Sequence, residues 1–178
     1  MVSVSEELRA CIRNVPDFPK KGIVFRDITT LLQDKNAFYK AIEIFCEKYR
    51  SMKLDKIVGI ESRGFIFGAV LADRFRAGFV PVRKPKKLPS TTIREEYQLE
   101  YGTDALEMHT DSIKAGERVL IVDDLMATGG TALATCKLVK RLGGEVVGLA
   151  FLIELSFLKG RDKLQGYNVF SIIAYDSE

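Results

Sequence analysis

Two carboxylates, Asp123 and Asp124, stand side by side directly after the apolar run Val119-Leu120-Ile121-Val122. The chain continues as Leu125-Met126-Ala127-Thr128-Gly129-Gly130-Thr131, and a helical pattern follows. Two adjacent acids suit vicinal hydroxyls, from which they accept hydrogen bonds, or a solvated Mg2+. They would repel a phosphate. The turn after them has the opposite character. Backbone N–H groups from Ala127 to Thr131, opening onto a helix N-terminus, form a cup for an anion, and the helix dipole adds to it. Thr128 and Thr131 supply hydroxyl donors, while Gly129 and Gly130 let the backbone approach without a Cβ in the way. A ligand that carries hydroxyls and a phosphate on one frame is a sugar phosphate. The spacing is not a Walker A loop, since no Gly-Lys-Ser/Thr follows, and it lacks the G-x-G-x-x-G of a dinucleotide site.

Cations for a second anionic group lie elsewhere in the chain. Arg63 sits in the turn Glu61-Ser62-Arg63-Gly64, directly after the apolar segment Ile57-Val58-Gly59-Ile60. The polar stretch from Arg83 to Glu100 carries Arg83, Lys84, Lys86 and Lys87 among Pro85 and Pro89. It is too long for an ordinary connection in a compact domain, so it reads as functional or disordered. The sole histidine, His109, lies in an alternating segment and reads as structural. Cys11, Cys46 and Cys136 fall on apolar helix positions and read as buried thiols in a reducing, cytoplasmic setting.

The elements that must position these groups follow from periodicity. Ser3 and Glu6 have capping-box spacing ahead of a helix with Val4, Leu8, Cys11 and Ile12 on one face. Ile23-Val24-Phe25 is a short strand or extended segment ending at Arg26-Asp27. A helix capped at Asp34 or Asn36 bears the stripe Phe38, Ala41, Ile42, Phe45, Cys46 and Tyr49. A helix is expected over 65–75 with Gly78 as its cap, and strands over 57–60, 79–82, 105–109, 119–122, 146–155 and 169–173. The helix after Thr131 ends at Gly143-Gly144. Strand, turn and helix in repetition, with nearly continuous apolar strands, specify an α/β fold whose parallel sheet is covered on both faces. Ligands bind such sheets beyond the carboxyl ends of the strands. Both unusual turns, 61–64 and 123–131, lie there.

At 178 residues the chain is one ordinary domain. A net charge of +3 fits anionic small molecules and is too weak to argue for nucleic acid. No window reaches a membrane span, and the N-terminus has no basic n-region or apolar h-region, so neither membrane nor signal peptide is expected.

The run from Val119 to Thr131 resembles the phosphoribosyl pyrophosphate (PRPP) motif of type I phosphoribosyltransferases: four apolar residues, two acids, small residues, then Thr-Gly-Gly-Thr. Further stretches resemble the adenine-specific branch of that family. They are Pro16-Asp17-Phe18-Pro19, Gly22 to Ile28, Gly59 to Phe65, Lys87-Leu88-Pro89, Tyr97 to Gly102, and Leu158-Lys159-Gly160-Arg161. The resemblance implies a type I phosphoribosyltransferase fold over residues 1–178. Its central, mostly parallel sheet would be flanked by helices, with a small N-terminal hood and base-binding segment over about 1–35 and a flexible catalytic loop over about 83–100.

Carried over residue by residue, the resemblance places Asp123 and Asp124 at the ribose hydroxyls and Ala127, Thr128, Gly129, Gly130 and Thr131 at the 5′-phosphate. Glu61, Ser62, Arg63 and Gly64 become the pyrophosphate loop, in which family members often carry a non-proline cis peptide. Arg83 and Lys87 would neutralise pyrophosphate, with Arg83 reaching across a homodimer. Lys86 stands where the family usually has Gly, which puts the loop geometry in question. Glu100 would manage the proton on the imidazole side of the purine as N9 attacks, so Glu100, Arg63 and Lys87 form the catalytic set. Backbone groups at Phe25 and Arg26 would read adenine, whose amine donates and whose N1 accepts, with Phe25 against the ring. Mg2+ would be held mainly by substrate and water near the two acids. The reaction implied is purine salvage, from adenine and PRPP to AMP and pyrophosphate. A 6-oxopurine phosphoribosyltransferase and a catalytically inactive PRPP-sensing regulator are the competing readings.

Overall fold

The computed structural model describes residues 3–98 and 102–177. The apolar run Val119–Val122 is fully buried and occupies the middle strand of a five-stranded sheet. That strand, β7 (Arg118–Met126), follows β1 (Arg13–Val15), β2 (Phe25–Asp27), β3 (Lys56–Ile60), β4 (Gly78–Val82), β5 (Thr92–Gln98) and β6 (Thr103–His109), and precedes β8 (Glu145–Leu155) and β9 (Val169–Tyr175). The helices are α1 (Val4–Ala10), α2 (Thr29–Gln33), α3 (Lys35–Tyr49), α4 (Gly64–Phe75) and α5 (Gly130–Arg141). The main sheet runs in the order β4-β3-β7-β8-β9, and each neighbouring pair is parallel.

Helices cover both faces, as continuous apolar strands require. On one face α1 to α4 bury Leu8, Leu31, Phe45, Tyr49 and Phe67 against Ile57, Leu120 and Val122. On the other, α5 and β6 bury Leu138, Val139, Leu106 and Met108 against Val58, Ile60 and Ile121. The helix after β3 therefore lies on the opposite face from the helix after β7. Strand order also reverses between these two neighbours, since β4 flanks β3 on the far side. A crevice opens where the order reverses, at the carboxyl ends.

Local chemistry explains the element boundaries. Ser3 and Glu6 form both halves of the capping box on α1, and the Asp34 carboxylate caps α3 by accepting from Asn36 N at 2.8 Å and Ala37 N at 3.1 Å. Each cap is worth about 1 kcal/mol. Three expectations change. First, α4 ends on Arg76 in the left-handed region (φ 52), while Gly78 opens β4. Second, the stretch over 83–100 is not uniformly irregular: β5 pairs antiparallel with β6 over Thr92–Gln98. The alternation is disguised because the inward-facing Glu95 is charged; Lys137 Nζ at 3.0 Å and Arg141 Nη1 at 3.2 Å from α5 neutralise it. Third, only Cys136 is buried, whereas Cys11 and Cys46 are half-buried; all three are free. Among the described residues no helix is long and apolar enough to cross a membrane.

Candidate active site

Strand β7 does not stop at the acids. It runs on through Asp123 and Asp124 to Met126, and Leu125 and Met126 still pair with Ile153 and Glu154 of β8. The two carboxylates thus project from hydrogen-bonded strand, which holds them rigidly. Asp124 N donates to Asp123 Oδ1 at 2.9 Å. Asp124 is 4% exposed, and Arg63 Nε lies 2.9 Å from its Oδ2. That contact is an ion pair without hydrogen-bond alignment, so this buried oxygen lacks a hydrogen-bond partner. Burial raises the pKa of Asp124 despite Arg63, and it pushes Asp123 up well above the usual carboxylate range, with the neighbouring charge of Asp124 adding to it. Two acids that resist ionising, one with a buried oxygen that is ion-paired to Arg63 but accepts no hydrogen bond, are poised for hydroxyl donors or for a cation.

The turn after β7 gives α5 a glycine N-cap, Gly129, at φ 76, and no side chain caps the helix. Ala127, Thr128, Gly129 and Thr131, around the start of α5, line a cavity of about 590 Å³, where the uncapped first N–H groups of a helix favour an anion. The loop is seated backbone to backbone: a Cβ on Gly129 would stand 2.3 Å from Gly160 O, and one on Gly160 would stand 2.3 Å from Ala127 O. Gly160 is held in turn by its neighbour Arg161, which forks onto buried Glu154 at 2.7 and 2.6 Å, while Ser171 Oγ donates to the same carboxylate at 2.5 Å. Away from this loop the cavity is walled by the apolar Ile23, Val24, Phe157 and Leu158, with Lys20 and Arg26 beside them.

A second cavity, of about 490 Å³, adjoins the first along Asp123, Leu125 and Thr131. It is lined by Glu61, Ser62 and Arg63, by Lys84, and by Asp124. The Glu61–Ser62 peptide is cis. Gly64 lets α4 start hard against β7: a Cβ there would meet Asp123 Oδ1 and Val122 O at 2.8 Å. Glu61 receives Arg83 Nε and Nη2, each at 3.2 Å, and Lys84 N at 2.9 Å. Burial alone would raise the Glu61 carboxyl, but these donors outweigh it and hold it below its ordinary value. Lys84 Nζ pairs with Asp104, to which Tyr97 OH also donates at 3.2 Å.

Most of the expected residues therefore converge on two joined chambers at the crevice. Some are placed differently. Phe25 lines the second chamber, with the Arg63 guanidinium 5.2 Å over its ring, and is not among the residues lining the first. The Arg26 side chain turns to Asn14 Oδ1 at 2.7 Å and to the ring of Tyr175. Gly130 is buried behind the loop. Arg83 is engaged by Glu61 of its own chain, and its Nη1 donates to Lys87 O at 3.2 Å. Lys87 is exposed and lines neither chamber. Glu100 lies outside the described residues. His109 accepts from Ser90 N at 3.4 Å, a structural contact.

Sequence reasoning missed Val24, Leu125 and Phe157 as lining residues, and it gave Leu158 and Lys84 no role. Val24, Leu125, Leu158 and Lys84 lay inside stretches already singled out, though without a role of their own; Phe157 is an aromatic residue that looks like core.

Lys86 adopts φ 66, the left-handed backbone that Gly takes without penalty, and its N–H donates to Glu107 Oε2 at 3.1 Å. The turn is thus kept although the side chain opposes it. Lys86→Gly retains the backbone bond and removes a strain of about 1 kcal/mol, partly offset by a more flexible unfolded chain. Thermal unfolding of this variant should show a melting temperature equal to or above that of the parent; a drop of several degrees would contradict the local account.

The family model described as "Phosphoribosyl transferase domain" matches residues 27–177. The adenine phosphoribosyltransferase of Brachyspira hyodysenteriae is 61% identical over 169 residues, 95% of this chain and 99% of that protein. The crystal structure of the Thermoanaerobacter pseudethanolicus adenine phosphoribosyltransferase superposes with a TM-score of 0.94 at 54% identity, covering 97% of this chain and all of that one. That of Saccharomyces cerevisiae, complexed with an imino-altritol bisphosphate and adenine, gives 0.90 at 41% identity, covering 97% and 99%. With a domain model spanning most of its length and relatives this close, the chain belongs to the adenine phosphoribosyltransferases of the phosphoribosyltransferase family.

Proposed function

We propose that this chain transfers the 5-phosphoribosyl group of PRPP to adenine, giving AMP and pyrophosphate. The observation that carries the reading is the pair of joined chambers: a phosphate cup and an apolar slot in one, and a cation-lined space in the other. Their shared border, Asp123, Leu125 and Thr131, is where a ribose would lie. In this reading Ala127 to Thr131 bind the 5′-phosphate, and Asp123 and Asp124 accept from the ribose hydroxyls. Val24, Arg26, Phe157 and Leu158 enclose adenine, and Arg26 contributes its backbone.

Adenine N9 forms the new bond to the anomeric carbon as the bond to the pyrophosphate oxygen breaks. Positive charge builds on the ribose ring while negative charge builds on the leaving group. Arg63 and Lys84 stand at the leaving-group chamber, and Arg83 and Lys87 join them once Arg83 exchanges Glu61 for pyrophosphate. The proton of the imidazole ring is managed by Glu100. Catalysis is then mostly positioning and charge neutralisation.

Mg2+ fits the acid pair, because Asp124 offers a buried oxygen without a hydrogen-bond partner. Among the described residues no group of three or more His, Cys, Asp or Glu side chains gathers as a metal cage, so substrate and water oxygens would complete the shell. When bound, the cation neutralises pyrophosphate charge. A homodimer and a cytoplasmic location complete the reading; the first rests on the family resemblance, the second on the free cysteines.

The test is an assay with PRPP and Mg2+ in which adenine, hypoxanthine, guanine and orotate are offered in turn. Adenine should give AMP and pyrophosphate in equal amounts, with the other bases at background. Robust product from hypoxanthine, or none from adenine, would refute the assignment.

A further inference from the structure

The two walls of the apolar slot come from opposite ends of the chain. Val24 and Arg26 belong to the β2 segment, and Phe157 and Leu158 to the helical turn after β8. Both walls are fastened to one short segment at and just after the end of β9: the wall at Phe157 to Tyr175 and Asp176, the wall at Arg26 to Tyr175 and Ser177. Ser156 Oγ, next to Phe157, lies 2.8 Å from Tyr175 O and within hydrogen-bond reach of the Asp176 carboxylate, so its single proton is shared between two acceptors of the C-terminal segment. From the other wall, the Arg26 guanidinium sits 4.1 Å from the centroid of the Tyr175 ring, and its Nη2 donates to Ser177 O at 3.4 Å. Arg26 and Tyr175 are 6% and 2% exposed, so this contact is desolvated and correspondingly strong.

We propose that Tyr175–Ser177 is a clasp that sets the spacing of the two walls, and hence the affinity for the base. These are positioning residues: they line neither wall, and they act through Ser156 and Arg26. The inference rests on the reading of the slot as the adenine site. A flat ring between two walls gains dispersion energy only at contact distance; a gap of about 0.5–1 Å forfeits about a quarter to a half of each contact. Slackening either fastening should therefore weaken base binding. The phosphate cup has fastenings of its own, Gly129 seated on Gly160 and Arg161 forked onto Glu154, so PRPP affinity should change far less.

The experiment measures steady-state kinetics of the full chain with each substrate varied in turn. The double variant Ser156→Ala/Asp176→Ala unfastens one wall and leaves the Tyr175 ring packed. Tyr175→Leu unfastens the other, and Tyr175→Phe retains the ring under Arg26. The double variant and Tyr175→Leu should each raise the KM for adenine about tenfold, with the KM for PRPP and kcat within twofold of the parent, and Tyr175→Phe should behave as the parent. An adenine KM within twofold of the parent in the double variant overturns the clasp, whatever the folding of Tyr175→Leu. A PRPP KM that rises in step with that for adenine overturns it as well, since general loosening would do that. If the parent converts no adenine at all, the reading of the slot fails and takes the clasp with it; conversion by the parent with unmoved variants removes the clasp alone.

Discussion

Gly129→Ala should reduce PRPP affinity by about 100-fold or more, which corresponds to about 3 kcal/mol. Two independent penalties meet at this position. A side chain at φ 76 is strained by about 1–2 kcal/mol in any surroundings. The new Cβ would also stand 2.3 Å from Gly160 O, a backbone atom that no rotamer change can move. Relief requires the loop and the Gly160 turn to separate, and Arg161 on Glu154 resists that at the turn. The loop must therefore yield, and its N–H groups turn away from the position of the phosphate. Gly160→Ala meets the same wall from the other side, at Ala127 O, without unfavourable φ. It should produce the same kind of defect, and the double variant should be less damaging than the sum of the two. Varying PRPP at saturating adenine gives the affinities, and thermal unfolding separates a bent loop from a lost fold. A Gly129→Ala enzyme with an ordinary KM for PRPP would show that the seat is softer than its geometry implies.

Asp123→Asn should divide stability from function. The pKa of this carboxyl is raised by burial and by Asp124, so the ligand-free folded protein holds its proton more tightly than the unfolded chain does. The burden of the ionised form is fully present above the folded-state pKa. It is relieved as the pH falls through that value toward the unfolded one. Asparagine keeps the oxygen that accepts from Asp124 N and carries no charge. The variant should be more stable than the parent at neutral pH by about 1 kcal/mol, within the usual range for relaxing a functional site. This advantage should shrink as the medium is acidified, because the parent then gains the same relief. Affinity for PRPP should fall by about 10–100-fold, since a neutral amide accepts more weakly from hydroxyls than a carboxylate does. In the parent, PRPP binding should weaken as the pH drops through the raised pKa of the acid pair. Chemical denaturation from pH 5 to 8, with PRPP titrations alongside, reads both effects. A variant less stable than the parent at neutral pH, or one that binds PRPP equally well, would contradict the electrostatic account.

The part of the site that was plain in the amino-acid order is the part where polarity changes abruptly. Four buried aliphatic residues followed by two acids, and then by small residues, admit few explanations, and the structure places this run in the central strand at the crevice. Strand β5 was hidden for the converse reason. Glu95 occupies an inward position and is neutralised by Lys137 and Arg141, residues more than forty positions away, so local alternation gave no sign of it. The stretches that form the slot walls were visible, but Val24 and Leu158 within them are ordinary apolar residues; only the fold tells a wall from a core. Lys86 is the reverse case. Its type argues against a left-handed turn that the surrounding chain imposes nonetheless. Phe25 was drawn to the base by its aromatic character, whereas in the fold its ring lies under Arg63 and lines the second chamber.

The border between the two chambers has a bearing on inhibitor shape. Asp123, Leu125 and Thr131 belong to both, so under the proposed assignment a molecule that fills the cup and the slot would occupy one room, and a pyrophosphate mimic another reached over a shared sill. A compound joining base and pyrophosphate surrogates would have to cross that sill beside Asp123. Its linker would need to bend at the ribose position and donate to the acids as it passes.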